Sequence, residues 1–143
     1  MKNFKRALGI GGAVLACVMA SATTAHAAPV KGTGKTYYGC TNTVYVWKSA
    51  GKVLAYAQQD CRQAKIKIMR PTIALSGNNG KQFVTKGKAC VKVNTCRTPT
   101  VTLKANKGWT YRASNAGTGT FATAGAADFW WPTNTVAHAS LKG

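Results

Sequence analysis

The stretch YYGCTNTVYVWKSAGKVLAYAQQDCRQAKIKIM, Tyr37 to Met69, decides how the rest of the chain must fold. Two runs rich in β-branched and aromatic residues flank Ser49-Ala50-Gly51-Lys52, which is the pattern of a β-hairpin. With the loop placed there, Lys48 pairs with Val53, Trp47 with Leu54, Val46 with Ala55, Tyr45 with Tyr56 and Val44 with Ala57. At the open end Cys40 falls opposite Cys61. A non-hydrogen-bonded antiparallel pair brings Cα atoms to roughly 4.5 Å, within reach of a disulfide, so this pair is expected to be bridged. Side chains alternate across a strand. The hairpin therefore has a small face (Cys40, Val44, Val46, Ala55, Ala57, Cys61) and a large one (Tyr45, Trp47, Leu54, Tyr56). The large face offers the most apolar area and is expected to be the core, the alternative being an aromatic platform shared with Tyr37.

Upstream, residues 1–27 read as a secretory signal. Lys2, Lys5 and Arg6 form a basic start, Ala7 to Ala20 an apolar run too short to span a bilayer, and Ala25-His26-Ala27 a small-x-small cleavage site. Cleavage after Ala27 leaves 116 of the 143 residues, Ala28 to Gly143, as one exported domain. Cys17 leaves with the signal, and Cys40, Cys61, Cys90 and Cys96 remain. An even set in a small exported domain reads as two disulfides. Of the three connectivities, Cys40–Cys61 with Cys90–Cys96 is favoured, the second closing a short loop. Zinc is disfavoured, because no C-x-x-C pair occurs and His138 is the one histidine of the exported part. No cofactor motif is legible.

Downstream, Ala64 to Met69 alternates, with Ile66 and Ile68 on one side and Lys65 and Lys67 on the other, as a half-buried strand does. Asn79-Gly80 predicts a second hairpin between Thr72–Leu75 and Gln82–Thr85. Ala89 to Val93 reads as a strand with Ala89, Val91 and Val93 on one face. Thr100 to Ala105 follows with Val101 and Leu103 inward, then Trp109 to Ala113 and Val136 to Leu141. Asn115 to Ala127 is too weakly patterned to read as a strand. With turns every 8–12 residues and no helical period, the expectation is an all-β, antiparallel β-sandwich or small barrel of about eight strands with two disulfides.

Charge is the dominant chemical feature. The chain carries 20 Lys and Arg against 2 acidic residues; loss of the signal leaves seventeen against Asp60 and Asp128, a net charge of +15. Such a surface attracts polyanions. The outward positions Lys65, Lys67, Lys88, Lys92, Lys104 and Arg112 would form a polyanion-binding face if their strands were neighbours. A second constellation is aromatic. Trp130 and Trp131 cannot both point inward from an extended strand, and with Tyr37 they offer a platform that could stack on sugar rings. Catalysis is poorly supplied: Asp60 and Asp128 are the one possible carboxylate pair, and a Ser-His-Asp set would need Ser140, His138 and Asp128 without a nucleophile-elbow motif.

The A-x-A signal, the early disulfide-closed hairpin and a late G-x-Y-x-R-like strand, here Lys107-Gly108-Trp109-Thr110-Tyr111-Arg112, together resemble small secreted β-proteins of actinobacteria. That resemblance implies an all-β fold and assigns no function. The expectation is a non-enzymatic, secreted, monomeric cationic protein that binds anionic polymers of cell walls or membrane surfaces, with an antibacterial effect. The alternatives are a carbohydrate-binding module using the exposed aromatics, and a small basic ribonuclease-like toxin or protease inhibitor. No reading motif for specific nucleic acid recognition is present.

Overall fold

Two long strands set the frame: β2 (Cys40–Ser49) and β3 (Lys52–Cys61), in a computed structural model that describes residues 28–62, 66–121 and 131–143. Residues 1–27, read above as a signal, lie outside the described residues, as do Lys65, Asp128 and Trp130. The register of β2 on β3 is the one the loop dictates, from Ser49 opposite Lys52 to Cys40 opposite Cys61. Ala50 and Gly51 turn the chain with φ of 46° and 71°. Positive φ at both central residues is the type I′ geometry, whose twist matches that of the strands. Alanine is poorly suited to this left-handed region, at a cost of about 1–2 kcal/mol. Ala50→Asn, which restores the favoured Asn-Gly pair, should therefore raise stability by about 0.5–1 kcal/mol. A urea midpoint at or below that of the wild type would contradict this account of the turn.

The hairpin is the centre of the first sheet. β1 (Val30–Thr33) adds to the free edge of β2. Along the other edge of β3 lie β8 (Thr95–Arg97) and then β9 (Val101–Lys104). The second sheet has the order β12-β10-β5-β6, with β5 (Thr72–Gly77), β6 (Gln82–Gly87), β10 (Thr110–Asn115) and β12 (Ala137–Lys142). A small third sheet sets β4 (Ile66–Arg70) between β11 (Thr118–Phe121) and β7 (Cys90–Val91). All pairings are antiparallel. The described residues thus form twelve strands where turn spacing suggests about eight; β1, β7 and β8 have four residues or fewer and leave little periodicity to read. β5 and β6 form the hairpin marked by Asn79-Gly80, paired from Thr72 opposite Gly87 to Gly77 opposite Gln82.

The core lies between the first and second sheets, and its first-sheet side is the small face of the hairpin. Val44, Val46, Val53, Ala55 and Ala57 are fully buried against Ile73, Leu75, Tyr111, Ala113, Ala137 and Ala139. The expectation that Tyr45, Trp47 and Tyr56 make the core is therefore corrected: all three are half-buried on the outer face. The reason is supplied by the opposite layer. Facing sheets pack about 10 Å apart, and Tyr111, Ile73 and Leu75 fill that gap from the second sheet, leaving room for Val and Ala across from them. Tyr111 also donates its hydroxyl to the Lys104 carbonyl at 2.7 Å and accepts the Asn106 N–H at 2.8 Å. The sandwich is pinched at one side, where β1 meets β12: a Cβ on Gly32 would lie 1.8 Å from the His138 carbonyl oxygen. The two sheets remain separate ladders, so the fold is a sandwich and not a closed barrel.

A second cluster joins the third sheet to the end of the hairpin. Cys40, Cys61, Ile66, Met69 and Cys96 are buried there, with Cys90 and Trp131 packed against them. Both expected disulfides are present, Cys40–Cys61 and Cys90–Cys96. The strict alternation expected for Ile66 and Ile68 breaks, because Phe121 pairs with Ile66 while Thr120 pairs with Ile68. The extra residue, Lys67, forms a bulge that shifts parity, so Met69 joins Ile66 in the core and Ile68 is half-buried. The reading of Ala89 to Val93 as one face is also corrected. β7 stops at Val91, Lys92 takes φ 54°, and Val91 and Val93 are 53% and 45% exposed. A six-residue disulfide separation forces the chain to turn where alternation would run on.

Buried amides tie the layers together. Asn115 donates to the Thr43 and Gln58 carbonyls at 3.1 and 2.9 Å and accepts the Thr72 and Gly117 N–H groups at 3.1 and 2.9 Å. Asn42 donates to the Gly117 and Thr135 carbonyls, and its Oδ1 accepts from Gln59, whose Oε1 accepts the Arg70 N–H. Polar side chains at inward positions are tolerated because every one of these bonds is made.

Candidate functional site

The five described cations of the six picked out by alternation do not converge on one face. Lys67 and Lys92 meet on the third sheet, where the Lys92 N–H donates to the Lys67 carbonyl at 3.3 Å. Lys88 continues the same register opposite Pro71, its N–H donating to the Pro71 carbonyl. Lys104 sits across from Lys52 on the first sheet and points away from the core. Arg112, between buried Tyr111 and Ala113, points outward from the second sheet, so it and Lys104 face opposite directions. Lys65 lies outside the described residues. All twelve described lysines are exposed, as are Arg62, Arg97 and Arg112.

Of the expected aromatic platform, Tyr37 and Trp131 come together. Trp131 is half-buried against the disulfide cluster, with Tyr37 at 5.4 Å between ring centroids. Tyr37 is flanked in turn by Tyr38 at 4.6 Å. Tyr37 and Trp131 are half-buried and Tyr38 is 55% exposed; Trp130, their expected companion, is outside the described residues. A second aromatic surface is the large face of the hairpin. Tyr45 and Tyr56 stack across β2 and β3 at 4.7 Å with planes 22° apart, and Trp47 meets Tyr56 edge-on at 5.9 Å.

Cations cover both ends of that stack. The Arg97 guanidinium carbon lies 3.5 Å from the Tyr56 ring centre, and the Lys31 ammonium 5.9 Å from that of Tyr45. The result is a row Lys31–Tyr45–Tyr56–Arg97 running across four strands, each ring attracting the cation over its face. Burial pushes the Tyr56 hydroxyl above its ordinary pKa, an effect that Arg97 opposes and Tyr45 adds to. The phenol therefore stays protonated at neutral pH and remains a donor.

Next to the row, Thr33 pairs with Thr43 and Gln58 with Arg97; beyond them Thr41 pairs with Asp60 and Asp60 with Thr95. Here the outer face dips into a groove of about 570 Å³ lined by Lys31, Thr33, Thr36, Thr41, Thr43, Asp60 and Arg62. Thr36 and Thr41 share a hydroxyl–hydroxyl bond of 2.8 Å. The Asp60 carboxylate is already engaged, accepting from Gln58 Nε2 at 2.9 Å and Thr95 Oγ1 at 2.7 Å. The groove thus combines hydroxyls with two cations and an internally satisfied carboxylate.

Of the catalytic candidates, two lie side by side on one strand and one belongs to the other layer. His138 and Ser140 lie exposed on β12, opposite Ser114 and Arg112, while Asp60 belongs to the other layer. Asp128 is outside the described residues. Among the described residues no three His, Cys, Asp or Glu side chains gather as a metal site requires.

Sequence reading missed Lys31, Arg97 and the threonines. Thr41 and Thr43 share the parity of Tyr45 and Trp47, so the hairpin register alone could have put them on one face. Lys31 and Arg97 could not be placed without knowing that β1 and β8 flank this hairpin. Comparison with protein-family models, with curated proteins and with solved structures returns no match for this chain.

Proposed function

We propose that this chain is a secreted cationic binding protein that is released by cleavage after Ala27 and adheres, as a monomer, to anionic polymers of cell walls or membrane surfaces. The observation that carries this reading is the openness of its charge. All the described lysines and three of the four described arginines are exposed, against one described carboxylate, Asp60. Cations held in a folding ion-pair network would be matched by carboxylates; these are presented to solvent and attract polyanions over a Debye length of about 10 Å. Two disulfides suit an oxidising compartment. No helix among the described residues is long and apolar enough to cross a membrane.

The test is adsorption of the oxidised protein to purified bacterial cell walls across a salt series. Counter-ion release makes log affinity fall linearly with log salt, so binding should weaken at least tenfold between about 50 and 200 mM. Salt-independent adsorption, or none at low salt, would remove the charge from the function. Growth inhibition of sensitive cells, measured over the same series, should fall in parallel.

A further inference from the structure

We infer that the outer face of the long hairpin is a binding strip for an acidic polysaccharide, a chain of sugars bearing carboxylates. The inference rests on the polyanion-binding reading above and names its ligand class and its place.

Three observations select this chemistry. The first is the donor row. Arg97 stacked on Tyr56 keeps its N–H bonds in the guanidinium plane, the geometry that grips a carboxylate in two parallel hydrogen bonds. Lys31 stands at the other end of the row, three strand spacings or about 14 Å away. Two phenols lie between them. That spacing suits successive acidic groups of an oligomer better than the single charge of a small anion.

The second is the groove beside the row. Its volume falls within the range of about 300–1,000 Å³ typical of ligand sites, and Lys31 belongs to both features. Threonine hydroxyls donate and accept, which matches the vicinal hydroxyls of a sugar. Arg62 supplies a further cation on the groove wall.

The third is what the tyrosines cannot do. Tyr45 and Tyr56 face each other, Arg97 covers Tyr56, and the Lys31 ammonium stands 5.9 Å from the Tyr45 ring centre, so a neutral sugar ring or a nucleobase would have to displace a cation to stack there. Single-stranded nucleic acid binding relies on free aromatic faces. At the two tyrosines recognition therefore favours charge and hydrogen bonding, with Trp47 as the neighbouring aromatic of the same face, and the groove is concave and hydroxylated where an acyl-chain contact would be convex and apolar.

The test uses polygalacturonate as probe at fixed ionic strength, with dextran as a neutral glycan, polyphosphate as a non-sugar polyanion and phosphatidylglycerol vesicles as an anionic membrane. Two variants are compared: Lys31→Gln/Arg97→Gln on the strip, and Lys67→Gln/Lys88→Gln/Lys92→Gln on the third sheet. All five side chains are exposed, and an unchanged thermal transition verifies folding. The strip variant should bind polygalacturonate at least about tenfold more weakly, as loss of charge-assisted hydrogen bonds implies, and the third-sheet variant less than about threefold. Equal losses in the two variants, or a larger loss in the second, would overturn the site. Stronger wild-type binding to polyphosphate or vesicles than to polygalacturonate would overturn the ligand class while leaving the polyanion reading intact. Binding to none of the anionic probes would overturn both.

Discussion

Asn115→Ala should lower the free energy of unfolding by about 4 kcal/mol, read as a shift in urea midpoint with little change in slope. The side chain is fully buried and makes four hydrogen bonds, two to carbonyls of the first sheet and two from N–H groups at Thr72 and Gly117. Alanine removes the amide, leaves the Thr72 and Gly117 N–H groups without their acceptor in a largely buried space, and takes from the Thr43 and Gln58 carbonyls the donor that bridges them. Each buried group left unsatisfied costs about 1–3 kcal/mol, and partial entry of water moderates the sum. The effect reaches beyond one strand, because the amide links β2 and β3 of the first sheet with β5 and β10 of the second. Ser114→Ala, one residue away and half-buried on the outer face, should change stability by less than about 0.5 kcal/mol. Comparable losses from the two substitutions would show that the amide is not the tie between layers.

Replacing Cys40 and Cys61 together by alanine should destabilise by about 3 kcal/mol. The bridge closes a loop of sequence separation 21. Loop-closure entropy in the unfolded chain accounts for about 3 kcal/mol at that length. Both sulfurs also sit in the second core cluster, Cys40 fully buried and Cys61 nearly so, and truncation there loses packing as well. The shorter Cys90–Cys96 bridge, separation 6, should contribute about 2 kcal/mol by the same relation. Denaturation of each alanine pair under oxidising conditions gives the order. A larger loss from the Cys90/Cys96 pair would place the main constraint in the third sheet and not in the hairpin.

These two expectations bear on function through rigidity. The donor row spans β1, β2, β3 and β8, so its spacing holds only while the hairpin stays in register and β8 stays docked. Asn115 anchors the inner side of β2 and β3 beneath the row, bonding the carbonyls of Thr43 and Gln58. Cys61, adjacent to Asp60, secures the end beside the groove. Loss of either tie should blur the strip before it abolishes the fold.

The hairpin and both disulfides were legible in the residues themselves, because a two-residue turn fixes a register and the register sets Cys40 opposite Cys61. The Asn-Gly hairpin and the inward Val101 were legible for the same reason: local chemistry dictated local geometry. Asn42 and Gln59 carry no such local signal, since the partners that satisfy their buried amides lie far along the chain.

What the sequence determined by itself is the class of fold, the alternation within each long strand, the cross-links and the excess of positive charge. Which face of the hairpin turns inward was decided by the tertiary structure, because the volume between two sheets is shared. Tyr111, Ile73 and Leu75 fill it from one side, so the small side chains of β2 and β3 complete it from the other. That choice placed Tyr45, Trp47 and Tyr56 in reach of solvent, and strand order then brought Lys31 and Arg97 to them. The same lack of long-range information scattered the lysines that alternation had grouped. Parity tells which side of its own strand a residue takes; it carries nothing about which strand lies next to it.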